Sequence, residues 1–210
     1  MKAFVVMGRT LKAAYEELFL CVFLSVAWWI GTLLIIPAAP VTLGIHQVAN
    51  RIANYKRVDN SFFWEAARSY FGRGWLLYLI SLLLPAAILF NIWFYLNTEG
   101  WLRTFGVFWI WLFVLALMTG QYFFPLFWQQ DEPDIKLVLR NAVLLALRHP
   151  LYTFLILLFQ LLLIGISVAI TLPLVLLTPA LIALTGNFAL VGLLQEMGLA
   201  PQPPQGPPPR

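Results

Sequence analysis

Between Leu18 and Gln195 the chain holds four long stretches without a single Asp, Glu, Lys or Arg: Leu18–Asn50, Trp75–Thr98, Thr104–Gln130 and His149–Gln195. A helix of about 20 apolar residues crosses the roughly 30 Å hydrocarbon layer of a bilayer, and these runs are too long for a soluble core. The sequence predicts an all-α fold, a polytopic transmembrane helical bundle. Only 10% of the 210 residues are charged, against about a quarter in ordinary globular chains. The intervals between the runs leave no room for a soluble catalytic domain. A single membrane domain is expected over residues 1–196, with a disordered Pro-rich cytoplasmic tail over 197–210.

Two of the runs hold one span each, Trp75–Asn97 with Pro85 inside it and Thr104–Trp128 with Pro125 near its end. The run His149–Gln195 would be about 70 Å long as one helix, so it must fold back near Thr171–Pro173 into spans Leu151–Ile170 and Leu174–Leu194. In the first run, Pro37-Ala38-Ala39-Pro40 breaks the helix, because proline lacks an N–H and crowds the preceding turn. That gives a first span Leu18–Ile36 and a short, polar returning helix from Val41 to about Tyr55.

Whether this second helix crosses is decided by the cations. If it does, there are six spans, and Lys2, Arg9, Lys12, Arg51, Lys56, Arg57, Arg68, Arg73, Lys136, Arg140, Arg148 and Arg210 share one side, with only Arg103 opposite. If it does not, the five-span alternative splits the 13 cations nine against four. Cytoplasmic loops carry the basic excess, which favours six spans in the cell membrane with both termini cytoplasmic. The aromatic residues agree: Trp93 and Trp101 fall near the outer interface, Trp64, Trp75 and Trp128 near the inner one.

The net charge of +4 sits beside the spans, where it meets anionic headgroups. Membrane lipids, not nucleic acid, are the expected partners. The lone Cys21 forms no internal disulfide. Leu18-Phe19-Leu20-Cys21 fails as a lipoprotein signal, since Leu20 is bulky and the apolar run follows the cysteine. Glu16, Glu17 and the length of the run argue against a cleaved signal peptide.

Two connections read as cytoplasmic interfacial amphipathic helices. In the first, Asn60 and Ser61 are candidate N-caps, and Phe62, Phe63, Ala66, Ala67, Tyr70 and Phe71 form the apolar face. In the second, Asp134 opens a helix whose stripe is Ile135, Val138, Leu139, Ala142, Leu145 and Ala146. Ala3–Glu17 is a candidate third. Two readings stay open: a structural triplication of interfacial helix plus hairpin, or the ordinary insertion of helices in pairs.

No Asp or Glu falls inside an expected span, which argues against a transporter built on intramembrane acids. His46 and His149 lack companion ligands at metal spacing, and no nucleotide loop or nucleophile turn is present. No cofactor, metal or catalytic residue is expected, and the chain does not read as an enzyme. Chemistry is confined to the second helix, where Thr42, His46 and Asn50 line one face and Gln47, Arg51 and Asn54 adjoin it. Unpaired polar groups in hydrocarbon cost several kcal/mol, so this face points inward. With Asn91, Gln121, Gln160 and Asn187 from other spans, it defines a candidate polar cavity. Hydrogen bonding between helices, about 1 kcal/mol per bond, is the plainer use of the same groups.

The stretch Ile36–Gly44, with Pro37, Pro40, Thr42 and Gly44 as its turn motif, resembles the Pro-x-x-Thr-x-Gly turn of the YesL-like bacterial membrane proteins. The aromatic segment Phe62–Phe71, Leu139-Arg140-Asn141-Ala142 and Leu172-Pro173 are similar too, and the likeness covers about residues 12–195. The resemblance implies an integral membrane protein of unassigned biochemical activity, with no catalytic residues to carry over, in a setting of carbohydrate uptake and its regulation. Two roles are expected on this basis. The first is an accessory or scaffold of a transport or sensing system, beside other membrane proteins such as ABC transporter components. The alternative is a small-solute or lipid transporter with the polar cavity as its path.

Overall fold

The computed structural model of the protein describes residues 2–202, so most of the Pro-rich tail lies outside the described residues. All regular structure among them is helical, and its order repeats three times. The first unit is α1 (Lys2–Glu16), α2 (Leu18–Leu33) and α3 (Ala38–Ala53). The second is α4 (Asn60–Ser69), α5 (Phe71–Leu96), a 3-10 turn (Gly100–Thr104), α6 (Phe105–Gly120) and α7 (Phe123–Phe127). The third is α8 (Ile135–Arg148), α9 (Pro150–Ile170), α10 (Leu172–Leu176) and α11 (Thr178–Glu196). In each unit a leading helix runs into an outgoing helix, which folds back on a return leg.

The junctions between leading and outgoing helices are alike. Each is a single residue outside helical geometry: Glu17 (φ −108°, ψ 36°), Tyr70 (−127°, 43°) and His149 (−128°, 58°). Pro150 accounts for the third, because the residue before a proline is kept out of the α region. Tyr70 is held by its ring, edge-on to Phe127 and Trp128 at 5.6 and 5.7 Å. The burial pattern of the leading helices repeats as well. Thr10, Phe63 and Ala142, each seven residues before its junction, are completely buried. Ala13 and Ala14, Ala66, and Ala146 are buried three or four residues before it.

These leading helices close a ring. α4 packs on the return leg α3, α8 on α7, and α1 on α11, while α3, α7 and α11 touch one another at the centre. Glycine allows two of these approaches. A Cβ on Gly44 would stand 2.6 Å from the Phe63 ring and 2.8 Å from its carbonyl oxygen, and one on Gly186 would stand 2.9 Å from the Gln121 carbonyl. Lys2 pairs with Glu196 at 2.8 Å and Arg9 donates to Gln195 at 3.2 Å, fastening α1 across the end of α11.

Four segments are long and apolar enough to cross a membrane: α5, Gly100–Phe127 taken together, α9 and α11. The α1–α2 pair makes a fifth only if taken as one span bent by 92°. With 16 residues each, α2 and α3 run about 24 Å.

Several boundaries differ from the sequence expectation, for local reasons. The α2–α3 turn ends at Pro37, and Pro40 lies inside the first turn of α3. A proline there interrupts nothing, since the first turn's N–H groups lack helical partners anyway. Thr42 and Gly44 are therefore helical, and Ile35 makes the reversal at φ 63°. The cap of α4 is Asp59, whose carboxylate accepts the Ser61 N–H at 2.7 Å; Asn60 and Ser61 are already in the helix. Asp134 caps α8 as expected, accepting from the Lys136 N–H. The span Thr104–Trp128 breaks at Gln121 and Tyr122, because Pro125 crowds the carbonyl four residues back, that of Gln121. In the last hairpin α10 intervenes, so the return leg begins at Thr178, not Leu174.

Candidate functional site

The break between α6 and α7 turns Phe124 towards α3, where its ring stacks on His46 at 4.9 Å and 20°. The edge of the same imidazole meets Asn187 of α11. Its Nδ2 lies 2.8 Å from the Ala183 carbonyl and 3.2 Å from His46 Nδ1. A carbonyl only accepts, so the amide group facing both atoms is the NH2, and His46 Nδ1 accepts from it. The ring proton then resides on Nε2. His46 Nε2 makes no hydrogen bond among the described residues, and Asn187 Oδ1 is buried without a partner.

His46 forms part of the wall of a cavity of about 300 Å³ between α3, α5, α6, α7, α9 and α11. Gln121 and Gln160 line the same space, as do Ser81 and Pro85 of α5. Gln121 Nε2 donates to the carbonyls of Met118 and Thr153, at 3.0 and 3.2 Å, which leaves its Oε1 unpartnered. Beside it the Tyr122 hydroxyl and Thr153 Oγ1 meet at 3.0 Å and lock α9 to the break. Gln160 is 7% exposed, and its amide has no partner among the described residues. Ser81 donates to the Tyr78 carbonyl at 2.7 Å. The rest of the wall is aliphatic or aromatic, without a charged residue among those described.

The candidate residues thus divide. His46, Gln121, Gln160 and Asn187 converge. Thr42 serves the α2–α3 hairpin instead, accepting from Trp28 Nε1 at 3.0 Å and donating to the Ala38 carbonyl at 2.7 Å. Asn50 belongs to a cluster further along α3, with Gln129 at 3.4 Å and Asn54 at 3.2 Å. Gln47 is half-buried, with Oε1 unpartnered. Asn91 donates to the Ala87 carbonyl of its own helix and lines a separate, largely apolar cavity with Trp109 and Val143. In the motif Pro37, Pro40, Thr42 and Gly44, the parts act separately: Pro37 caps α3, and Gly44 admits Phe63.

Phe124, Ser81 and Pro85 carry no signal in the sequence that would single them out. Tyr122 could have been found, as a hydroxyl beside Gln121 that needs a buried partner.

Chemically, the site offers an imidazole N–H and a whole uncommitted amide in a space walled by hydrocarbon. Such groups can bind a ligand through hydrogen bonds. Comparison with protein-family models, curated proteins and solved structures gives no match.

Proposed function

We propose that the chain is a six-crossing cell-membrane protein whose central chamber holds a small molecule, as the binding element of a transport or sensing system. One observation carries the binding role: Gln160 and His46 line the same cavity, and neither the Gln160 amide nor His46 Nε2 has a hydrogen-bond partner among the described residues. An unpaired amide costs about 1–3 kcal/mol, and a ligand that pairs with it recovers that cost. Gly120 provides the test, because it lines the chamber and a Cβ added there meets nothing within 4 Å. Gly120→Leu should narrow the chamber enough to crowd out a ligand and leave the fold intact. Native mass spectrometry should then find a small molecule on the wild type and none on the variant. Equal occupancy, or none on either, would remove the binding role.

Six crossings are supported by Trp29, which donates to the Leu174 carbonyl at 3.2 Å and so brings the α2–α3 tip level with that of α9–α11. In this arrangement α1, α4 and α8 lie in the cytoplasmic interface and the termini are cytoplasmic. Cysteines placed at Lys56 or Arg68 should stay unlabelled by impermeant reagent outside intact cells; labelling would refute the orientation.

A second reading, an accessory or scaffold role beside a carbohydrate transporter, draws on the YesL-like resemblance and on α5, of whose most apolar stretch only 11% is buried. A partner helix has room along it. Crosslinking from Leu83 or Phe90, exposed on α5, would have to capture one specific membrane protein.

A further inference from the structure

The polar groups of the chamber restrict what it can hold, and this inference rests on the binding role proposed above. A ligand inside meets the His46 N–H, the Gln160 NH2 and C=O, and the acceptor lone pairs of Ser81, whose proton is already given to Tyr78, while the unpartnered Gln121 Oε1 is buried in the wall. All of these are neutral. An ion there would lose its water with no opposite charge to meet it. The remaining wall, including Leu84, Leu117, Leu157, Leu161, Ile164 and Ile182, offers no hydrogen bonds. A carbohydrate would bury several hydroxyls against it unpaired. The polar groups suffice for one small head, and the wall suits an apolar body.

We infer that the chamber takes an uncharged amphiphile with a single hydroxyl or amide head, placed between His46 Nε2 and the Gln160 amide, and that it rejects ions and sugars. Any role in carbohydrate uptake would then belong to the protein's surface and not to this cavity.

Five probes test the assignment on the full chain in lipid nanodiscs, with empty nanodiscs giving the partition background: benzyl alcohol, toluene, benzoate, benzylammonium and glucose. Saturation-transfer NMR titrations should give a saturable benzyl alcohol signal. Toluene, which lacks the hydroxyl, should bind about tenfold more weakly, the value of one good hydrogen bond. Both charged analogues and glucose should show no saturation. Gln160→Leu should erase the difference between benzyl alcohol and toluene, while Gly120→Leu should abolish both signals. If toluene, a charged analogue or glucose saturates the wild type as tightly as benzyl alcohol, the ligand class is wrong and the binding role stands. If none of the five saturates it, both fall.

Discussion

The return legs and the outgoing helices are built from similar apolar residues but live in different surroundings. Twelve of the 16 residues of α3, all five of α7 and 13 of the 19 in α11 are buried. The outgoing helices bury four of 16 in α2, three of 26 in α5 and five of 21 in α9. Hydrophobicity does not put a helix inside; the exposed α5 and α9 are more apolar than the buried α11. Small residues do. α3 carries Ala38, Ala39, Gly44, Ala49 and Ala53, and α11 carries Ala180, Ala183, Gly186 and Ala189, all buried. In a bilayer the hydrophobic effect does not press helices together, so close packing of small faces decides which helix lies inside. On α5 and α9 bulky Leu, Phe and Trp face outward; α7 departs from the rule, since its Phe123, Phe124, Leu126 and Phe127 are all buried without a small residue among them. α6 is the exception among return legs, with only Gly106, Met118 and Thr119 buried. The α5–α6 hairpin is the least buried of the three, and the largely apolar chamber lies between it and α3, α7, α9 and α11.

The strongest way to break this comparison is one substitution made on both sides of it. Gly44→Ala and Gly186→Ala put a Cβ within 2.8–2.9 Å of backbone oxygens and should each cost about 2–3 kcal/mol. Gly165→Ala in α9, where a Cβ meets nothing within 4 Å, should add about 0.5–1 kcal/mol of stability. Thermal midpoints of the three variants in mild detergent, read by fluorescence-detected gel filtration, would decide. Equal losses at all three sites would mean that the return legs are not the packed centre.

A smaller effect separates the polar groups of the two regions. Asn91 on α5 needs no other helix, because the Ala87 carbonyl satisfies its amide. Asn91→Leu should change stability by no more than about 0.5 kcal/mol and leave benzyl alcohol binding as it is. Gln160→Leu removes an amide nothing else uses, so it should alter ligand preference and, by relieving the cost of the unpaired group, stabilise the unliganded fold by about 1–3 kcal/mol. If Asn91→Leu abolished binding, the chamber would have to be continuous with the cavity that Asn91 lines.

The contrast also marks what the sequence could reveal. Helix positions were legible because missing charge and a 3.6-residue stripe are local properties: the stripe from Ile135 to Ala146 is the inward face of α8 residue for residue. The same holds for the Asp134 cap. Breaks were less legible, since Pro125 acts four residues away, at Gln121, while Pro40 looks disruptive and sits harmlessly in a first turn. For the site, polarity announced that His46, Gln121, Gln160 and Asn187 must turn inward. It could not tell them from Asn91, because a side-chain amide bonding its own helix leaves the same trace in a sequence. Phe124 looks like any member of its aromatic run until the break aims it at His46.

The weakest expected effect concerns how a leading helix is held. α4 has two attachments, Phe63 wedged on Gly44 and the Asp59 cap, and the comparison predicts that packing dominates. Hydrogen bonds from Ser61, aided by Arg57 and Arg51 nearby, pull the Asp59 carboxyl below its ordinary range. A carboxyl lowered on folding stabilises the fold above its unfolded pKa, about 3.9, and that contribution fades as pH falls through the lower folded value. Asp59 caps only the first turn of α4, so the loss should stay local. Hydrogen exchange in the first turn of α4 should quicken on acidification relative to Asp59→Asn, which keeps an acceptor but does not titrate. Amides around Phe63 and Ala66 should exchange identically in both proteins. Loosening of Phe63 in acid would show that the cap, and not the glycine contact, anchors this helix to the centre.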